Sequence, residues 1–159
     1  MRKKALPGTE SFIQEGFINW LKSKKEDGWE IIPEEKRNKL DEKDWDVVAY
    51  RKFKSRKRKQ RKFYFEVKGE SVKARKDQHM EVALVRGIGQ LLLRLQKKTK
   101  WWRTFVFVIP ESFEKRLREK VKRSYGWGLL GKESNLKVWI VDRRGIPIKM
   151  LTYKKFKQV

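Results

Sequence analysis

Two short β-rich runs, Asp46-Val47-Val48-Ala49-Tyr50 and Phe63-Tyr64-Phe65-Glu66-Val67-Lys68, flank a segment from Arg51 to Lys62 in which nine of twelve residues are Lys or Arg. So charged a segment must lie in solvent. The runs therefore pair as an antiparallel hairpin with a long basic tip at about 51–62. Alternation along the second run sends Phe63, Phe65 and Val67 to one face and Tyr64, Glu66 and Lys68 to the other. One face is apolar and the other sets Tyr64 beside two charged side chains, and the hairpin belongs in a sheet covered by other elements.

The remaining segments supply that cover. After Gly8-Thr9, the residues Phe12, Ile13, Phe17, Trp20 and Leu21 recur at helical spacing, predicting a first helix through the basic run ending at Lys25. Trp29 to Pro33 reads as a short strand, followed by a polar loop from Glu34 to Lys43. From about Asp77 to Lys97, the residues Leu84, Ile88, Leu91, Leu92 and Leu95 share one face of the longest helix. Thr104 to Ile109 is a nearly continuous apolar strand, Phe113, Leu117 and Val121 mark another helix, Leu136 to Val141 is a buried strand, and Ile146 to Tyr153 is a last extended segment. Helices between the late strands imply parallel pairing there. The fold class expected is α/β, a mixed sheet with an early antiparallel hairpin and helices on both faces.

Length and charge narrow the function. The chain has 159 residues, a size expected of one domain, with 43 Lys+Arg against 20 Asp+Glu and a formal net charge of +23. No cysteine and one histidine exclude disulfide frameworks, cysteine-ligated zinc, thiol nucleophiles and His-rich metal centres. No apolar run approaches a membrane span and the start lacks a signal-peptide core, so a cytoplasmic protein is expected. A Lys- and Glu-rich surface alone marks some hyperthermophile proteins, but not a two-to-one excess of one sign. That excess points to a polyanionic partner, and nucleic acid leads.

The acids carry the sharper information. Glu66 and Lys68 are same-face neighbours about 7 Å apart along the strand. If the hairpin register pairs the strand ends, the Asp46 carboxylate lies beside Glu66. Two carboxylates so placed repel unless a cation sits between them, and oxygen-only ligation favours Mg²⁺ or Mn²⁺. An ordinary salt bridge from Lys68 to either acid explains the spacing equally well. On the first helix, Glu10 projects amid Ile13, Phe17, Trp20 and Leu21, whereas Glu15 points the other way. On the long helix, Ala83, Gly87, Gln90 and Arg94 form a stripe beside the leucine face whose small residues admit a close backbone.

In this order, Glu10 on a helix, Asp46 before an apolar strand, Glu66-Val67-Lys68 on the next, and Gly89-Gln90-Leu91-Leu92 on the following helix, the chain resembles the PD-(D/E)XK nuclease superfamily over about residues 8 to 110. That superfamily is restriction-endonuclease-like and includes archaeal Holliday-junction resolvases and RecB-like nucleases. Trp45 stands where a proline often precedes the first acid, and Asp44 is a rival ligand less well placed than Asp46. The resemblance implies a Mg²⁺-dependent DNA endonuclease acting on duplex or branched DNA. Asp46, Glu66 and the Val67 carbonyl would hold the metal, with Glu10 joining directly or through water. Lys68 would orient a metal-activated water or stabilise the transition state, and Gln90 would contact the scissile phosphate or the nucleophile. A junction-cutting relative would be a symmetric homodimer.

Arg51, Lys52, Lys54, Arg56, Lys57, Arg58, Lys59, Arg61 and Lys62 on the hairpin tip, with Arg94, are the expected phosphate contacts. The same charge would also serve a non-catalytic nucleic-acid-binding protein of this fold. Gly126-Trp127-Gly128-Leu129-Leu130-Gly131-Lys132 nearly matches a phosphate-binding loop, but Glu133 follows where a hydroxyl is needed and the flanking elements are in the wrong order. Trp101-Trp102 reads as packing at the mouth of a core strand, and His79 as a surface residue.

Overall fold

A computed structural model describes residues 5–38, 42–54, 60–72, 75–95 and 103–158. The helices are α1 (Glu10–Ser23), α2 (Lys76–Leu93), α3 (Glu114–Val121), α4 (Tyr125–Ser134) and α5 (Tyr153–Lys157). The strands are β1 (Trp29–Ile31), β2 (Val47–Lys52), β3 (Gln60–Val67), β4 (Arg103–Pro110), β5 (Lys137–Val141) and β6 (Pro147–Thr152). All six form one sheet in chain order. β1–β2, β2–β3 and β5–β6 are antiparallel, while β3–β4 and β4–β5 are parallel. This is the mixed α/β sheet expected from the sequence. No helix among the described residues is long and apolar enough to cross a membrane.

Alternation on β3 divides the interior in two. Phe63, Phe65 and Val67 join Ile13, Phe17 and Leu21 of α1, with Trp29 and Trp139, in one core. Tyr64 joins Leu84 and Leu91 of α2, Leu117 and Val121 of α3, Trp127 and Leu130 of α4 and Phe156 of α5 in the other. Burial of these side chains, at about 1.5–3 kcal/mol each, fixes the sheet between one helix and four.

Four expectations change. The basic tip is shorter than 51–62, because the strands pair out to Lys52 and Gln60; the pairing of Trp29 on β1 with Arg51 holds this basic end of the hairpin in the sheet. Arg56, Lys57, Arg58 and Lys59 lie outside the described residues, as do Trp101 and Trp102. Leu92 is 53% exposed rather than buried with Leu91. The helix is rolled toward its small-residue side, where Gly87 is buried, and this turns Leu92 outward. The glycine-rich segment at 126–131 is not a loop but lies within α4, capped by the Ser124 hydroxyl accepting from the Trp127 N–H at 3.1 Å. Burial of Trp127, Leu130 and Gly131 offsets the helix cost of its glycines. Finally, α5 follows β6 where only an extended segment was expected; the Thr152 hydroxyl caps it and Phe156 anchors it in the core. His79 is exposed in the first turn of α2, as expected.

Candidate active site

The Val47↔Phe65 register, continued by one residue, sets Asp46 opposite Glu66 where the hairpin meets the carboxyl ends of β3 and β4. In open α/β sheets this end is where ligands bind. The Asp46 Oδ2 accepts a hydrogen bond from the Val67 N–H at 2.7 Å, which fixes one carboxylate to the strand bearing the other. The Asp46 backbone carbonyl accepts from the Gln14 side chain at 3.2 Å, and the Trp45 carbonyl from Arg37 at 2.8 Å. Gln14 and Arg37 are therefore positioning residues that the sequence did not single out. An arginine in a polar loop of a chain with 43 cations carries no signal of its own.

Glu66 is 1% exposed. Its Oε1 lies 2.7 Å from the Lys68 Nζ, and its Oε2 pairs with the Arg94 guanidinium. Lys68 in turn sits 3.7 Å from Glu10 Oε2 at the first turn of α1. The sequence-predicted Glu10, Asp46, Glu66 and Lys68 thus come together; Glu10 and Glu15 are both exposed on α1, and Glu10 is the one that meets Lys68. Burial, and then the negative charge of Glu66, push the Asp46 carboxyl up to about 6, against the lowering effects of the Val67 N–H and Lys68. That is the signature of two acids held together in a half-dry place.

Two glycines bring the helices in. A Cβ at position 69 would lie 2.1 Å from the Glu10 backbone nitrogen, so only glycine lets the start of α1 touch the strand end beside Lys68. A Cβ at Gly87 would lie 2.6 Å from the Phe107 ring and 3.2 Å from the Lys68 Cε. Gly87→Ala is expected to cost about 1–3 kcal/mol by overpacking, read from the midpoint of a urea melt. An unchanged midpoint would mean that α2 does not ride this close to the sheet.

The stripe on α2 reaches the site with a different division of labour from that expected. Arg94, read as a phosphate contact, instead lies within the cluster, paired to Glu66 and 4.8 Å above the Trp45 ring. Trp45 itself is buried against Tyr64 and Phe105. Gln90, on the same stripe between Gly87 and Arg94, has a buried Oε1 without a hydrogen-bond partner. Among the described residues, no three His, Cys, Asp or Glu side chains are gathered closely enough to hold a metal by themselves. Glu10 is held off by Lys68, so the acids available are the facing pair. Asp46, Glu66 and the Val67 carbonyl are hard oxygen donors of the kind that Mg²⁺ takes. The donor set fits such an ion once Arg94 yields one oxygen of Glu66.

The basic hairpin points away from this cluster. β2 (Val47–Lys52) runs away from Asp46, so Lys52 lies about 20 Å from it along the sheet at a rise of about 3.3 Å per residue. Among its described cations, Lys62 pairs with the buried Glu42 and lies over Tyr50 and Tyr64, and Lys52 pairs with Glu30 at 3.1 Å. Lys62 was expected to meet phosphate; the Tyr50↔Lys62 register directs it onto the α2-side face, where Glu42 meets it. Lys54 is exposed.

No family model matches the chain, and no curated protein matches it in sequence. Among solved structures it is similar to an XisH family protein from Nostoc punctiforme PCC 73102, at a TM-score of 0.43 and 12% identity over 88% of this chain and 98% of that one.

Proposed function

We propose that this protein is a Mg²⁺-dependent DNA endonuclease with a restriction-endonuclease-like fold. The observation that carries the reading is the facing pair Asp46 and Glu66 with the Lys68 ammonium 2.7 Å from Glu66, in a chain of net charge +23. Acids beside a phosphate-binding surface oppose binding unless a cation uses them.

Asp46, Glu66 and the Val67 carbonyl would hold Mg²⁺ or Mn²⁺, with Glu10 reaching it through water. A divalent ion bound there supplies a more acidic water and offsets charge on the phosphate. The Val67 N–H holds Asp46 in place. Lys68 orients the attacking water or balances charge that builds on the phosphate, and Glu10 fixes the lysine from the far side. Gln90 offers a polar group with no partner of its own to a phosphate or a water. Duplex or branched DNA is the substrate class, and symmetric cutting of a junction would require a homodimer.

The test is cleavage of supercoiled plasmid, single-stranded DNA and a four-way junction with and without Mg²⁺. Native protein should cut in Mg²⁺ and stop in EDTA, and Asp46→Asn and Lys68→Ala should each lower the rate on the order of 100-fold or more while still binding DNA. Undiminished cutting by either variant would sink the site.

One observation favours a second reading, a non-catalytic nucleic-acid-binding protein of the same fold: Lys68 and Arg94 already neutralise Glu66 without a metal. DNA binding equal in EDTA and Mg²⁺, with no cleavage of any of the three substrates, would establish it.

A further inference from the structure

On the α1 side of the sheet, far from Asp46 and Glu66, three cations stand together without an acid. Arg51 and Arg61 are direct cross-strand partners on β2 and β3. Lys137 opens β5 on the same face, since Trp139 and Val141, two and four residues on, belong to the α1-side core. Their floor is aromatic. The Arg51 guanidinium lies 5.3 Å from the Trp29 ring and 5.3 Å from Phe53, and the Lys137 Nζ lies 5.7 Å from Phe63. The Trp29 and Phe63 rings are themselves 4.8 Å apart.

Like charges placed directly opposite on a sheet destabilise it. Elsewhere the chain avoids this: Arg116, Arg118 and Lys120 of α3 and Lys149 of β6 all pair with Glu81, Glu114 or Glu119. Among the described residues, no acid pairs with Arg51, Arg61 or Lys137, and the Arg51 Nε is buried with no hydrogen-bond partner. All three side chains are half-buried. Burial, and then the positive charges of Arg61 and Arg51, hold the Lys137 ammonium below its usual range. An anion lying over the trio would relieve all of these costs together.

We propose that Arg51, Arg61 and Lys137 form a binding site for a phosphate of a nucleic-acid backbone. The site is separate from the Asp46–Glu66 cluster, about 15–20 Å from it along β2 and β3, and needs no metal. Nucleic acid is favoured over a lone anion because the exposed Lys54 follows Arg51 on the same hairpin and the chain carries a net charge of +23. A backbone passing here would meet the sheet face that α1 leaves open beyond its carboxyl end. Each phosphate neutralised contributes about 0.9 to the salt slope of duplex binding, worth roughly five- to tenfold in affinity near 0.1 M salt.

The experiment is fluorescence anisotropy of a labelled duplex in EDTA across a salt series, so catalysis plays no part. Lys137→Gln and Arg61→Gln should each weaken binding roughly five- to tenfold and lower the slope by about 0.9. Lys137→Arg should bind like native protein. Lys122→Gln, which removes the same charge from the exposed end of α3 on the other side of the sheet, should leave the slope unchanged. Equal losses in Lys122→Gln and Lys137→Gln, or none in Lys137→Gln and Arg61→Gln, would overturn the proposal. Two further arms use inorganic phosphate and phosphatidylglycerol vesicles. If Lys137→Gln and Arg61→Gln lose either of these while duplex binding stays native, the site serves a free anion or a lipid surface, and the nucleic-acid assignment falls.

Discussion

Asp46→Asn is expected to make the metal-free protein more stable at pH 7.5, by about 1–3 kcal/mol, while removing the Mg²⁺-dependent activity proposed above. The native carboxyl is raised from 3.8 to about 6, chiefly by burial and then by Glu66. Between those values the folded protein binds a proton that the unfolded chain has released. Stability therefore falls as pH rises from about 4 to about 6, and the full penalty is present above that window. Asparagine carries no charge, keeps an oxygen for the Val67 N–H and escapes the penalty. Its advantage should largely disappear near pH 4, where the folded-state aspartate is protonated and the unfolded one is only beginning to release its proton. Urea melts at pH 4 and pH 7.5 in EDTA measure this directly. A midpoint for Asp46→Asn below the native one at pH 7.5 would mean that the acid is already satisfied. Mg²⁺ should raise the native melting temperature and leave that of Asp46→Asn unmoved, because only a folded site with both charges binds it.

The opposite outcome is expected across the strand pair. Glu66 accepts both Lys68 and Arg94 while almost fully buried. Glu66→Gln would leave two cations in a poorly hydrated space without a counter-charge, a change that costs about 3–5 kcal/mol. Replacing Arg94 by methionine as well should recover part of the loss, since the partner left unpaired is then apolar. A double-mutant cycle on urea midpoints gives the coupling. Additive losses from Glu66→Gln and Arg94→Met would show that the pair is not formed in solution. Two acids of one site would then differ in sign: one strains the metal-free protein and the other holds it together. For that reason Asp46→Asn is the cleaner probe of chemistry, and loss of activity in Glu66→Gln needs a folding control beside it.

The hairpin and its facing acids were legible because a strand repeats every two residues. Once Phe63, Phe65 and Val67 are assigned to a core, Glu66 and Lys68 have one place to go. Glu10 was legible by the same logic on a helix, since its face also carries Ile13 and Phe17. Arg94 was not, because the roll of α2 depends on how deeply Gly87 sits against Phe107, a tertiary distance. That roll sent Leu92 outward and carried Arg94 to Glu66. Helix α4 was hidden by its glycines, which disfavour a helix locally; Trp127 and Leu130 restore it only when a core exists to receive them. Arg51 and Arg61 were among the expected phosphate contacts, but Lys137 was not, because it lies far along the chain and only the strand order brings it near.

That strand order has a consequence for how the protein is made. Each strand pairs with its neighbour in the chain, so none must be inserted between two that are already joined. As the chain leaves the ribosome, the sheet can extend from one edge, strand by strand, with short searches at each addition. By the time β4 has emerged, every residue of the Asp46–Glu66 cluster is present, while β5 and β6 are still to come. Lys137 arrives only with β5, so the trio on the other face is assembled later than the acids.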